Sequence, residues 1–225
     1  MPKFDKNLQI KNDILETAKK LFYEKGYDST TFADIASNLC ITKGLISYYF
    51  DSKANLANKV YHDFISKNQS TISMKFYTTL RNEFVYNPRV ITVASNLSSY
   101  TMFREDENAR KFFVEFLFHN FCFSVMNGDY GLWEIHKHAV DKDKLSDKNY
   151  LRMLATASRS ASSIIQIQYF SGMLDISFEE FADFAIRLKY QIEGLSPEEI
   201  DTVIKNGKLV FERLDLHYNP YFALE

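Results

Sequence analysis

The stretch Thr30 to Lys53 reads TTFADIASNLCITKGLISYYFDSK. Thr31 offers an N-cap to a first short helix, with Asp34 in its first turn. Thr42 offers a cap to a second, which reaches Phe50. About three residues, Leu39 to Ile41, lie between them, and Ala36 is small where two helices must cross closely. Ile35, Leu39, Ile41, Leu45 or Ile46, and Phe50 turn inward as one miniature core. Thr42, Lys43, Gly44, Ser47 and Tyr48 are then left facing outward. These residues are short or polar, and the DNA major groove is wide enough for one such helix. Thr42 can give a phosphate its hydroxyl and nearby backbone N–H groups. Lys43 can reach a guanine edge or a phosphate. Tyr49 and Lys53 flank the helix and suit backbone phosphates.

Working outward, Ile10, Ile14, Ala18, Leu21 and Phe22 recur at helical spacing, and Gly26 follows as a stop. Asp51 and Ser52 cap a fourth helix from Lys53 to about Met74. Asn87-Pro88 opens a helix to about Phe103, with Pro at the first helical position. Asp106 to Met126 and a short piece around Trp133 to Val140 follow. Asp141 to Lys148 reads as a charged linker, and Asn149 to Leu174 as a long helix. Ser177 with Glu180, and Ser196 with Glu199, form capping boxes for two amphipathic helices. The expected fold is all-α: a three-helix helix-turn-helix domain at 8–68, then a larger helical domain at 69–225.

Composition agrees with long helices. Hydrophobic residues make up 46% and aromatics 16%, enough for a sizeable core, while Gly (7) and Pro (4) are too scarce for a turn-rich β fold. The net charge of −2 excludes general polyanion binding. Residues 1–60 nevertheless carry nine Lys against seven Asp or Glu, which permits a DNA-facing N-terminus. Cys40 and Cys122 suggest no disulfide framework, so a reducing cytoplasm is expected. No run reaches the roughly 18 apolar residues of a membrane helix, so no membrane partner is expected.

The segment AKKLFYEKGYDSTTFADIASNLCITKGLISYYFDSKANL, within Ile14 to about Val60, resembles the DNA-binding domain of the tetracycline-repressor (TetR) family. The spaced residues Ala18, Leu21-Phe22, Gly26, Ile35-Ala36, Thr42-Lys43-Gly44, Tyr48-Tyr49-Phe50 and Ser52-Lys53 carry it. The resemblance implies DNA contacts by Thr42, Lys43, Tyr48, Tyr49 and Lys53, to which Thr31, Gly44 and Ser47 are added as neighbours. It also implies a homodimer on a palindromic operator, nucleoid-associated, with repression as the commoner role. Two departures stand out. Cys40 occupies the turn position that is usually Gly, where a positive φ costs roughly 1 kcal/mol. Leu45-Ile46-Ser47 replaces the more usual Thr-Leu-Tyr.

Polar residues within aromatic or small-residue stretches mark an expected small-molecule cavity: Tyr100, Phe103, Phe116, His119, Trp133, Arg159 and Gln166. The last two helices are expected to hold the dimer, through Phe181, Phe184, Leu188, Ile204 and Phe211. Phe184 and Leu209 widen their apolar arcs, and the alternative pairing surface is the small-residue face of Ala155 to Ser163. The mechanism expected is a repressor that a small molecule releases from DNA. Its alternative is a DNA-binding adaptor whose C-terminal part binds a protein; a filled core would favour it. A DNA-processing enzyme would need clustered acidic metal ligands, whereas Asp28, Asp34 and Asp51 read as turn and cap residues. No cofactor or metal is expected, because His136 and His138 diverge on a helix.

Overall fold

The structure, a computed structural model, describes residues 3–127 and 147–225. The described helices are α1 (Lys3–Lys25), α2 (Phe32–Leu39), α3 (Lys43–Tyr49), α4 (Lys53–Lys75), α5 (Pro88–Glu105), α6 (Glu107–Asn127), α7 (Lys148–Phe170), α8 (Phe178–Ile192) and α9 (Pro197–Arg213). A π-helical turn, Phe76–Leu80, extends α4. A short antiparallel hairpin, β1 (Tyr218–Asn219) and β2 (Ala223–Leu224), follows α9 and is an addition to the all-helical expectation.

The anticipated caps form. Thr31, Ser177 and Ser196 each build a capping box, and Ser52 and Asn87 each accept a backbone N–H two or three residues on. One boundary differs. α7 stops at Phe170, short of Leu174, because Gly172 takes a left-handed φ of 77° and the Met173 N–H turns back to the Gln168 carbonyl at 2.9 Å.

The three N-terminal helices close over Ile14, Ala18, Phe22, Ile35 and Ile46, all fully buried. In the body, α5 is the central helix, covered by α4, α6, α8 and α9. Its buried residues therefore run round all its faces, from Val90 to Phe103. α9 lies closest to it: a methyl group at Gly207 would overlap the Val93 side chain and stand 3.2 Å from the Val90 carbonyl oxygen.

α4 joins the two parts and is pinned to α5 by a buried polar knot. Asn68 Nδ2 donates to the Ser95 carbonyl (3.0 Å) and to Ser99 Oγ (2.7 Å), and its Oδ1 accepts from the Ser98 hydroxyl (2.9 Å). Satisfying this amide fixes one register between the helices, since leaving it unpaired would cost about 1–3 kcal/mol.

α1 packs against α6 through Phe22 on Phe112 (5.4 Å, stacked) and Tyr27 on Phe116 (5.7 Å, edge-on). Polar bonds rim this seam. The Asp28 N–H donates to Glu115 Oε2 at 3.0 Å, and Tyr23 Oη donates to Asp106 Oδ2 at 2.8 Å. Burial, followed by the bond to Asp106, pushes the Tyr23 hydroxyl up to about 12, so this donor keeps its proton at physiological pH. α6 itself breaks helical geometry at Asn120 (φ −123°, ψ 22°), whose Oδ1 accepts from Tyr27 Oη at 3.4 Å.

Candidate nucleic-acid interface

Two interlocking caps create the outward helix. The Thr31 hydroxyl donates to Asp34 Oδ2 (2.6 Å) and accepts the Asp34 N–H (3.2 Å). α2 ends at Cys40, whose φ of 54° lets the Ile41 N–H reach back to the Ala36 carbonyl at 3.0 Å. That left-handed residue reverses the chain so that Thr42 can start α3. Its hydroxyl oxygen accepts the Leu45 N–H at 3.3 Å, which leaves the hydroxyl proton for an outside acceptor.

α3 then divides cleanly. Ile46 is fully buried, with Phe50 behind it at 4% exposure. Thr42, Lys43, Gly44, Ser47 and Tyr48 are exposed, and Tyr48 at 76% is far more exposed than packing requires of a tyrosine. Tyr48 and Tyr49 meet edge-on at 5.1 Å. Tyr49 is half-buried, and its hydroxyl donates to Asn7 Oδ1 of α1 at 3.3 Å. Asn7 was beyond reach of motif reading, because 42 residues separate the pair.

Besides Tyr49, two of the predicted residues are engaged within the chain. Thr31 spends its hydroxyl on the cap. Lys53 lies 4.2 Å from the centroid of the Tyr27 ring and donates to the Tyr27 carbonyl at 3.0 Å, tying the start of α4 to the α1–α2 corner. Thr42, Lys43, Gly44, Ser47 and Tyr48 thus form one continuous exposed surface, with Tyr49 at its edge.

The predicted effector residues separate. Tyr100, Phe103 and Phe116 are at most 3% exposed. Phe103 stacks on Phe113 at 4.2 Å, and Tyr100 packs on Phe181 at 5.1 Å. His119 is corrected: it lies at the surface, 52% exposed, with Nε2 3.4 Å from Asp28 Oδ2. It serves the α1–α6 seam, because the helical turn that carries Glu115 also carries His119. Trp133 lies outside the described residues. Arg159 and Gln166 are half-buried on α7, where Gln166 Nε2 donates to Ser162 Oγ at 2.8 Å.

Ser162 and Arg159 also act on the buried Tyr100 and Tyr61 hydroxyls, each opposing the upward push of burial. Burial pushes the Tyr61 hydroxyl up to about 12, against the opposing influence of Arg159. Further along, burial lowers the Lys189 ammonium and raises the Glu193 carboxyl above its ordinary range. A cavity of about 600 Å³ lies apart from this cluster, lined by Arg104, Glu105, Phe178, Glu179, Phe211 and Tyr218 among others.

The dimer set also needs correction. Phe181 is fully buried, stacked on Tyr169 at 4.0 Å, and Ile204 is 3% exposed. A side chain already covered by its own chain has no area left for a partner. Phe211 lines the cavity just described, whereas Phe184 is 53% exposed and Leu188 half-buried.

Residues 14–60 match the family described as "Bacterial regulatory proteins, tetR family". Over 47 residues the chain is 47% identical to the biofilm operon icaADBC HTH-type negative transcriptional regulator IcaR of Staphylococcus aureus, covering 21% of this chain. That segment spans only 25% of the IcaR length. The uncharacterized HTH-type transcriptional regulator YerO of Bacillus subtilis is 25% identical over 207 residues, covering 86% of this chain and 68% of YerO. Among solved structures, a TetR-like transcriptional regulator from Rhodococcus sp. RHA1 overlaps 80% of this chain and 93% of its own, at a TM-score of 0.39 and 18% identity. A gamma-butyrolactone receptor (ArpA-like protein) overlaps 92% and 99%, at a TM-score of 0.40 and 14% identity. The match lies on the segment whose caps and exposed helix are described above, so within residues 14–60 the chain is similar to the bacterial regulatory proteins of the tetR family.

Proposed function

We propose that this chain is a repressor that grips a palindromic operator as a homodimer and releases it when a small molecule binds the helical body. The observation that carries the DNA-binding part is α3: a capped helix, buried only on its inner side, that presents Thr42, Lys43, Gly44, Ser47 and Tyr48 to solvent. Two such helices must stand about 34–36 Å apart to enter successive major grooves. The body sets that spacing, and a ligand that prefers another spacing lowers DNA affinity by its differential affinity for the two states. Residues 8–68 form the reading head in this account, and 69–225 the body. The setting is the cytoplasm, on the nucleoid.

The ligand part is supported by the polar groups in the body: Tyr61, Tyr100, Ser162, Arg159 and Gln166 from α4, α5 and α7, with Lys189 and Glu193 beyond. Such groups within an apolar body are more than packing alone needs. The adaptor reading keeps one observation of its own, the filled aromatic packing of Tyr100, Phe103 and Phe116. For the dimer, the unburied apolar side chains favour α7 and α8, with Met153, Ile164 and Phe184 all more than 40% exposed.

The test uses a duplex selected by the wild-type protein from a random pool. Lys43→Ala with Tyr48→Ala should abolish selective binding, a loss of about 2–5 kcal/mol for two direct contacts, while the helical circular dichroism stays unchanged. Selection of the same duplex at unchanged affinity would refute the assignment of α3. Small molecules that raise the Tm should also release the duplex; a protein partner that does so instead would favour the adaptor.

A further inference from the structure

The β1–β2 hairpin lies far along the chain from the DNA reader, yet it touches it. Between the strands, Tyr221 and Phe222 both hold positive φ, 63° and 58°. Bulky residues seldom adopt that conformation, and it persists only where surrounding contacts offset its cost. The contacts are present. The Phe222 ring is 5% exposed and sits where three helices meet: 5.4 Å edge-on to Tyr23 of α1, 6.0 Å from Phe64 of α4 and 5.2 Å from Phe112 of α6. Tyr221 lies beside Tyr23 at 4.9 Å, and its hydroxyl donates to Glu24 Oε1 at 2.9 Å. The hairpin is closed by paired backbone bonds between His217 and Glu225, at 2.9 and 3.0 Å.

We propose that Tyr221 and Phe222 are positioning residues for DNA binding: through them the hairpin straps the reading head to the body and holds its angle. This rests on the DNA-binding reading above. α1 meets α6 along one aromatic seam and otherwise packs on α4, the helix that head and body share, so a bend in α4 lets α1 roll against α6. Phe222 touches α1, α4 and α6 together, and Tyr221 clips Glu24, so rolling α1 would pull the ring out of its three-helix socket. A head of fixed angle is already ordered before it meets DNA. A loose head must be ordered on binding, and that cost falls on the complex. The penalty is specific to a site that both heads must enter at once. One head on a half-site does not depend on its angle to the body.

The experiment compares wild type, the double variant Tyr221→Phe/Phe222→Ala, and the conservative Phe222→Leu. Affinity is measured for a full palindrome selected by the wild type and for a single half-site duplex, with amide hydrogen exchange followed on the free proteins. The double variant should lose about five- to tenfold on the full site and less than about twofold on the half-site. Phe222→Leu should recover most of the loss. Amides of residues 18–28 should exchange faster in the double variant. An equal loss on both duplexes would mean a folding role and would overturn the proposal, as would an unchanged ratio or tighter full-site binding. If the wild type selects no duplex, the DNA-binding reading fails by itself. Exchange then decides the strap: acceleration in α1 upholds it, and unchanged exchange there overturns it.

Discussion

Cys40 shows how much one residue decides. It ends α2 with φ at 54°, a conformation that costs an L-residue roughly 1–2 kcal/mol. Glycine would remove that strain but lose more chain entropy on folding, roughly 0.5–1 kcal/mol. Relief of the strain outweighs the lost entropy. Cys40→Gly should therefore stabilise the protein by about 0.5–1 kcal/mol, seen as a rise of a few degrees in Tm, with duplex selection retained. A lower Tm would mean that the turn does not need the left-handed conformation. Lys53 and His119 make the complementary point. Each is a ligand-facing side chain by type, yet Lys53 is spent on the Tyr27 carbonyl near the start of α2, and His119 on Asp28 across the α1–α6 seam. Residue type announces what a group can do; the partner it finds is set by which other segment arrives beside it.

At the scale of elements, α5 and α9 form the tightest crossing described, and Gly207 makes it possible. A methyl group there collides with Val93 on a neighbouring helix backbone, so relief requires α9 to shift. Overpacking of this kind costs about 1–3 kcal/mol, whereas Ala gains only about 0.5–1 kcal/mol in helix propensity. Gly207→Ala should therefore lower Tm by several degrees, measured by calorimetry. An unchanged or raised Tm would show that α9 has room to spare. The same crossing explains why the sequence-based dimer set fails in part. α9 turns the inner side of its apolar stripe onto α5, and α8 turns Phe181 onto Tyr169, so only the edges of the two arcs, Phe184 and Leu209, stay exposed. Capping, by contrast, was readable locally, because a box such as Ser177 to Glu180 closes within four residues and asks nothing of the rest of the fold.

For the whole molecule, the apolar surface left uncovered is where the proposed dimer would pair. Phe184 is 53% exposed beside a half-buried Leu188, and Met153 (64%) and Ile164 (41%) stand out along α7. Burying each such side chain contributes roughly 1.5–3 kcal/mol. Phe184→Glu and Ile164→Glu together should therefore turn a micromolar dimer into a monomer in sedimentation equilibrium. A wild-type monomer, or a double variant that still dimerises, would move or remove the interface. Loss of the dimer should also erase the preference for a palindrome, since symmetry in the protein and in the site go together.

What the sequence by itself determined lies within a few turns of chain: the helices and their caps, the left-handed turn at Cys40, and the exposed residues of α3. Each of these depends on bonds between residues three to five apart, or on helical periodicity, and both are written in order along the chain. Tertiary structure alone decided where Lys53, His119, Phe181 and Ile204 spend their contacts, and how Phe222 reaches a socket formed by Tyr23, Phe64 and Phe112. Those contacts join segments up to 199 positions apart in number, from Tyr23 to Phe222. An aromatic stripe declares only that it will be buried. Whether its cover is another helix of the same chain, a hairpin or a second copy depends on which apolar face arrives first and fits best, and periodicity carries no record of that.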